Sequence, residues 1–331
     1  MTTTEALDRL AAWPRLRLAN LPTPLEPVPR LSAAIADPGP EILIKMDNDT
    51  GFALGGNKVR KLEFELGPGR LEGVSHLITA GGPQSNHCRV TAAAAARLGL
   101  SCILVLNGPE PEEARGNALI HRLFGADIRT VATREERDSA MGDIAADISR
   151  EGGQAHVLPL GASTGLGSLG YVSAMVELAA QLDALEPSPR TWIFVSASSC
   201  GTLAGLLLGI SLLGRKDVRL VGVSADLSAF DMRMKAAALA SEGAALLGWK
   251  GEVREGALAA ADEFVGRAYG VPTAAGDEAT ALFGRTAGIV LDPVYTAKAA
   301  SGMLSWIRKG SVPPEDRVVF VHTGGHPALL A

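Results

Sequence analysis

HLITAGGPQSNHCRVTAAAAARLGLSCILVL, residues 76–106, holds one complete unit of the pattern that decides the fold. The β-branched, apolar run at 76–80 reads as a strand and GGPQSNH as the loop at its end. Residues 86–98 read as a helix, with a polar start, a run of alanines, and Arg97-Leu98-Gly99 as a glycine stop. A second apolar run follows at once from Ser101. Strand, helix and strand in this order make a parallel βαβ unit.

The alternation continues outward in both directions. Short β-branched or leucine-rich runs at 41–45, 127–131, 155–158, 191–196, 218–224 and 317–322 alternate with alanine-rich stretches of helical period. The sequence therefore predicts an α/β protein built of open, mostly parallel twisted sheets flanked by helices. The chain's 331 residues suffice for two domains. Composition shifts at PLGASTGLGSLG (159–170) and breaks again at Pro187-Ser188-Pro189. With four self-contained βα units before the first break, a small domain is expected at about 65–172, inserted into a larger one of 1–64 plus 173–331.

A formal charge of −5, from 36 acidic and 31 basic residues, opposes binding to nucleic acid or anionic lipid. The apolar run at 203–213 is too short for a membrane span, and MTTTEALDRL has no basic-then-apolar leader pattern. Three widely spaced cysteines, Cys88, Cys102 and Cys200, suit reduced thiols. A cytoplasmic protein is expected. His322 and His326 are four apart, but two glycines between them and a proline after them argue against a helical metal pair, so no metal is expected.

Four motifs could carry chemistry. GGNKVRKLEF (55–64) delivers Lys58 at the start of a helix, where burial and the helix dipole would lower its pKa; a solvated lysine in a surface turn is the alternative. In GGPQSNH (81–87), Ser85 and Asn86 and the free N–H groups of a helix start suit a carboxylate, or form a simple N-cap. Ser198-Ser199-Cys200-Gly201-Thr202 follows a strand and could close round a phosphate. It lacks both the lysine of an NTPase loop and the spacing of a dinucleotide fold. LDPVYTAK (291–298) and VHTGG (321–325) complete the set; Tyr269 and Tyr295 stand in turn-like settings, against the alternative of tyrosines bonded in a core.

A lysine after glycines, an S-N-H loop, a small-residue cradle and a late H-T-G-G, in that order, resemble the pyridoxal-phosphate enzymes of the tryptophan-synthase-β type, fold type II. LPTPLEPVPRLS, GGNKVRKLEF, PQSNHCR, LGYVSAMVEL, GYGVP, LDPVYTAK and HTGG together resemble the branch of D-cysteine desulfhydrases and 1-aminocyclopropane-1-carboxylate (ACC) deaminases. The resemblance implies pyridoxal 5′-phosphate in the cleft between the two domains. It implies that Lys58 forms the Schiff base, while Lys61, Ser199, Cys200, Gly201 and Thr202 hold the phosphate. By the same resemblance Asn86 meets the ring hydroxyl, and Gln84, Ser85, Asn86 and His87 hold the substrate carboxylate. Tyr269 and Tyr295 line the ring face, and Thr323, with Thr296, meets the pyridine nitrogen. Lys58, Ser85, Tyr269 and Tyr295 would be the catalytic set, and a homodimer is implied.

A hydroxyl at the pyridine nitrogen cannot hold a proton there as a carboxylate can, which makes the ring a weaker electron sink and favours prompt loss of a β leaving group. Lys58 would be the base. ACC deaminases typically carry Glu after the DPVY tyrosine and Leu before the final glycines, where this chain has Thr296 and Thr323. That points to D-cysteine, giving pyruvate, ammonia and hydrogen sulfide. ACC deaminases and L-cysteate sulfo-lyases share the frame, and Thr50-Gly51 resembles the latter. Met46, Asn48, Ser198 and His326 depart from the usual pattern and bear on the substrate pocket. A non-catalytic α/β protein that binds a small ligand is the reading from another class.

Overall fold

The computed structural model describes residues 1–109 and 113–331. Two sheets organise them. The larger runs, in spatial order, β1 (Leu25–Pro27), β2 (Glu41–Lys45), β10 (Arg317–Val321), β7 (Thr191–Ala197), β8 (Val218–Ser224) and β9 (Leu258–Ala261). The smaller runs β5 (Asp127–Val131), β4 (Ser101–Asn107), β3 (His76–Gly81) and β6 (Ala155–Val157). Every pairing is parallel except that of β1 with β2.

The eight strands expected from the sequence are all present, within a residue at their ends. Two more are not legible in it. Leu-Glu-Pro at β1 has no strand signal, and it pairs only because an edge position tolerates proline. Leu-Ala-Ala-Ala at β9 falls in a gap read as helical, a correction forced by the vacant edge beside β8.

The central strands β7, β8 and β10 are buried almost throughout, as parallel strands covered on both faces must be. Against one face lies α8 (Gly201–Leu212), every residue of which is buried, because α7 (Gly165–Asp183) and α9 (Ala229–Leu247) cover it from outside. A Cβ on Gly205 would fall 2.2 Å from the Ser168 carbonyl oxygen and one on Gly209 would fall 2.4 Å from Met175 Cβ, so glycine is what lets α8 and α7 approach. Residue 172 falls within α7.

The segment between β2 and α3 (Lys58–Glu65) is pinned by a buried ion cluster. Arg60 bonds both carboxylate oxygens of Asp47 (3.0 and 2.8 Å) and both of Glu177 on α7 (3.0 and 2.9 Å). Lys45 reaches Glu177, and the Tyr171 hydroxyl donates to Asp47 at 2.5 Å. Burial alone would raise the Asp47 carboxyl, but Arg60 and the Tyr171 hydroxyl outweigh it and hold it below the usual range. The first residue of α3 is thereby fixed relative to the large sheet.

The three cysteines are free and buried. Among the described residues no helix is long and apolar enough to cross a membrane, and no three His, Cys, Asp or Glu side chains cluster as metal ligands.

Candidate active site

The ends of β3, β4, β7 and β10 open onto one cleft of about 380 Å³ between the two sheets, where ligand sites of parallel sheets lie. Lys58, Ser85, Asn86, His87, Ser199, Cys200, Thr202, Tyr269, Tyr295 and Thr323 all stand on its wall. These come from segments up to 265 positions apart in the chain (58 to 323), and the fold brings them together.

Lys58 is half-buried, and loss of hydration pushes its amine down to about 8, so a sizeable fraction is neutral and nucleophilic near neutral pH. Opposite it Gly161 adopts φ +69°, and a Cβ there would lie 3.3 Å from Lys58 Nζ and 2.5 Å from Ser199 Oγ. Lys61, one turn further along α3, is fully buried and lies behind the wall. Burial and the neighbouring Lys58 charge hold its amine well below the usual lysine value. It reaches the cleft through a relay: Lys61 Nζ donates to Ser163 Oγ (3.1 Å), which donates to Ser199 Oγ (2.8 Å).

The 198–202 loop turns into α8 at Cys200, which is left-handed (φ +67°). That turn gathers the N–H groups of the helix start, a nest suited to an oxyanion. Gly201 N–H donates to Ser163 Oγ at 3.2 Å, and a Cβ on Gly201 would meet that oxygen at 2.7 Å. Thr202 accepts from the Asn57 amide at 2.9 Å.

On the small-sheet side Ser85 caps α4 (Asn86–Leu98), its Oγ accepting from Cys88 N–H at 3.2 Å. The cap and the cleft position coexist, so the two alternatives for this loop are not exclusive. Asn86 Oδ1 accepts from Arg89 (2.9 Å) and from Asn117 (2.9 Å), which turns its NH₂ away from both donors. Gln84 lies off the wall and holds Asn117 through its side chain and carbonyl, both at 2.8 Å. The His87 ring bonds Thr79 Oγ1 at 2.9 Å, and burial keeps its pKa well below the ordinary value.

Tyr269 and Tyr295 meet edge to face with centroids 5.9 Å apart, and their hydroxyls bond each other. Burial raises both phenols, so they remain protonated. Thr323 Oγ1 lies 3.2 Å from Ser196 Oγ at the end of β7. Thr296 is elsewhere: fully buried at the start of α11 (Thr296–Arg308), with its hydroxyl on Asp292 at 2.7 Å. Of the departures, Ser198 is on the wall, whereas Met46, Asn48 and His326 are not; His326 packs edge-on to His322 at 5.1 Å.

Sequence reasoning missed Asn57, Asn107, Gly161, Ser196, Arg134, Arg137 and Asp226, all on the wall. The glycine-rich run around 161 was legible as a break, not as a contact. Arg134 and Arg137 precede or open a polar helix that reads as solvated, and nothing in their spacing points inward.

An amine for an aldehyde, a nest for a phosphate, an amide NH₂ for a ring hydroxyl, a hydroxyl pair for a ring nitrogen and a tyrosine face for the ring suit pyridoxal phosphate. The chain matches the family described as pyridoxal-phosphate dependent enzyme over residues 16–324. D-cysteine desulfhydrases of Salmonella paratyphi A and Salmonella newport are each 39% identical to it over 330 residues, covering 98% of this chain and 98% of theirs. The solved structure of an ACC deaminase homologue superposes with a TM-score of 0.88 at 37% identity, covering 98% of this chain and 96% of the other. A pyridoxal 5′-phosphate-dependent aspartate racemase shares the fold at 14% identity, with a TM-score of 0.66 and 98% and 95% coverage. Sequence, fold and cleft thus lead to one statement of kinship: the chain belongs to the pyridoxal-phosphate dependent enzymes.

Proposed function

We propose that the protein is a carbon–sulfur lyase that cleaves D-cysteine to pyruvate, ammonia and hydrogen sulfide. The observation that carries the reading is the pairing, in one cleft, of a Lys58 amine at about 8 with a Thr323 hydroxyl whose side-chain partner is another hydroxyl. Similarity to D-cysteine desulfhydrases along nearly the whole chain supports it.

Pyridoxal phosphate, when bound, supplies the electron sink that acidifies the α-carbon of an amino acid. On this reading Lys58 anchors the cofactor, the 199–202 nest with the Lys61–Ser163 relay holds its phosphate, and Asn86 and Thr323 orient the ring. Ser85 and the start of α4 grip the substrate carboxylate, with Gln84 and His87 shaping that loop. Lys58 Nζ removes the α-proton, and the Tyr269–Tyr295 pair, both protonated, donates to the departing sulfur. The C–S bond breaks with its electron pair on sulfur, and water releases ammonia and pyruvate. Thr296 acts indirectly, by fixing the Asp292 turn that carries Tyr295.

One observation favours a second reading, sulfite release from cysteate. Arg137 stands on the cleft wall with Nε held by the Arg134 carbonyl (2.9 Å) and Nη1 by Asn107 (3.4 Å), and has no carboxylate partner among the described residues. Arg134, by contrast, is paired with Asp226 at 3.2 Å and lies over the Tyr269 ring. An unpaired guanidinium suits an anionic β-substituent.

The chain is further read as a cytoplasmic homodimer with a small domain at 65–172 inserted into a large one of 1–64 plus 173–331; three buried free thiols support the compartment. The deciding experiment reduces holoprotein with borohydride, maps the adduct, and assays D-cysteine, L-cysteate and ACC side by side. A Lys58 adduct with sulfide from D-cysteine is expected. An adduct elsewhere, or no pyruvate from any of the three, overturns the reading. In Arg137→Gln, cysteate turnover should fall at least tenfold more than D-cysteine turnover if the second reading holds.

A further inference from the structure

We propose that Arg89 is a positioning residue that fixes the orientation of the Asn86 amide and sets an uncompensated positive charge behind it, so that a ring oxygen docked on Asn86 is held as an anion. The inference rests on the cofactor placement proposed above.

Arg89 is fully buried on the first turn of α4, and it forms no ion pair with any described carboxylate. Its partners are all neutral oxygens: Asn86 Oδ1 at 2.9 Å, Asn117 Oδ1 at 3.0 Å and the Gly55 carbonyl at 2.7 Å. Its Nε has no partner. A guanidinium can only donate, so both amides must turn their oxygens toward it. The Asn117 NH₂ is then directed to the Gln84 carbonyl (2.8 Å) and to Asn86 Oδ1 (2.9 Å). With two donors on its oxygen, Asn86 has only its NH₂ to offer the cleft. The amide orientation follows from the arginine and needs no assumption about the ligand.

Placing a bare guanidinium in the interior is unfavourable, and burial alone pushes this one down to about 10. An anion arriving at Asn86 compensates it. The other titratable groups around Arg89 do not. His121 on α5 (Gly116–Leu123) is pushed down to about 4 and is neutral, and His87 on its own helix is likewise held neutral. The Gly55 loop contributes Lys58, a further positive charge when protonated, not a counter-ion. The Gly55 bond also ties the Lys58 loop to the Ser85 loop through one side chain.

The test uses holoenzyme and follows the visible band of the bound cofactor from pH 6 to 10 in native protein, Arg89→Gln, Arg89→Lys and Asn86→Ala. A positive charge nearby disfavours protonation of the cofactor–lysine linkage, so its loss raises the midpoint. Arg89→Gln should raise it by about one pH unit or more, and Arg89→Lys should stay within about half a unit of native. Asn86→Ala, which keeps the charge, should bind cofactor at least tenfold more weakly with the midpoint still low. An unmoved midpoint in Arg89→Gln, or a rise of a full unit in Asn86→Ala, overturns the assignment; the second arm decides even if Arg89→Gln does not fold. Absence of the band from native protein would instead remove the cofactor placement itself.

Discussion

Replacing Gly161 with alanine adds a carbon to the cleft wall between Ser199 and Lys58. The backbone there is left-handed at φ +69°, which costs a residue with a Cβ about 1–2 kcal/mol. The added carbon would sit 2.5 Å from Ser199 Oγ, 3.2 Å from Ser199 Cβ and 3.3 Å from Lys58 Nζ. Relief requires Ser199 to move, which breaks its 2.8 Å bond from Ser163, worth about 1 kcal/mol. Together these come to about 2–3 kcal/mol, or a melting point of the cofactor-free protein lower by about 3–4 °C for a chain of 331 residues. Losing one hydrogen bond to an ionised phosphate should weaken cofactor binding about 10- to 100-fold, read by titrating the visible band. Gly142→Ala is the control: it lies exposed within α6 (Glu136–Arg150), where a Cβ meets nothing within 4 Å, and alanine should match or slightly exceed native stability. If Gly161→Ala melts within 2 °C of native and binds cofactor within twofold, the cleft is not shaped as described.

Two further outcomes follow from groups outside the cleft. His322 is fully buried and pushed down from 6.5 to about 4 by loss of hydration, so the unfolded chain takes a proton the native state refuses. Stability should therefore fall as pH drops from 6.5 toward 4, by about 3 kcal/mol for this side chain at the acid end. His322→Gln should flatten that limb in urea titrations at pH 7 and pH 5, and an identical slope would show the histidine is not responsible. Asp47→Asn removes a carboxylate from a buried arginine and should cost about 3–5 kcal/mol; a loss below 1 kcal/mol in thermal melts would mean Glu177 alone suffices for Arg60.

The strands were legible where β-branched, apolar runs broke off at small residues, as at 76–81 and 191–197, because a parallel strand covered on both faces must be apolar throughout. β9 was not, since three alanines carry no strand preference and only the open edge beside β8 recruits them. Within the cleft, groups that announce their chemistry locally could be read: Lys58 after two glycines, Ser85 and Asn86 at a helix start, the small residues at 198–202. Thr296 shows the limit of such reading. The family resemblance put it with Thr323 at the pyridine nitrogen, yet a side chain one residue past Tyr295 turns into the helix and bonds Asp292. Arg134 and Arg137 show the converse, since their inward position depends on how the small sheet stands against the large one.

The complete enclosure of α8 has a consequence for how this catalyst can diversify. A rod locked by its neighbours on every side, with glycines where another helix presses in, offers no slack to the turn at its tip. Adaptation to new substrates is therefore channelled to the opposite bank, through the end of β4 and the start of α6, which bring Asn107, Arg134 and Arg137 to the opening. Grafting those short stretches between relatives should redirect chemistry while the mooring of the coenzyme stays intact.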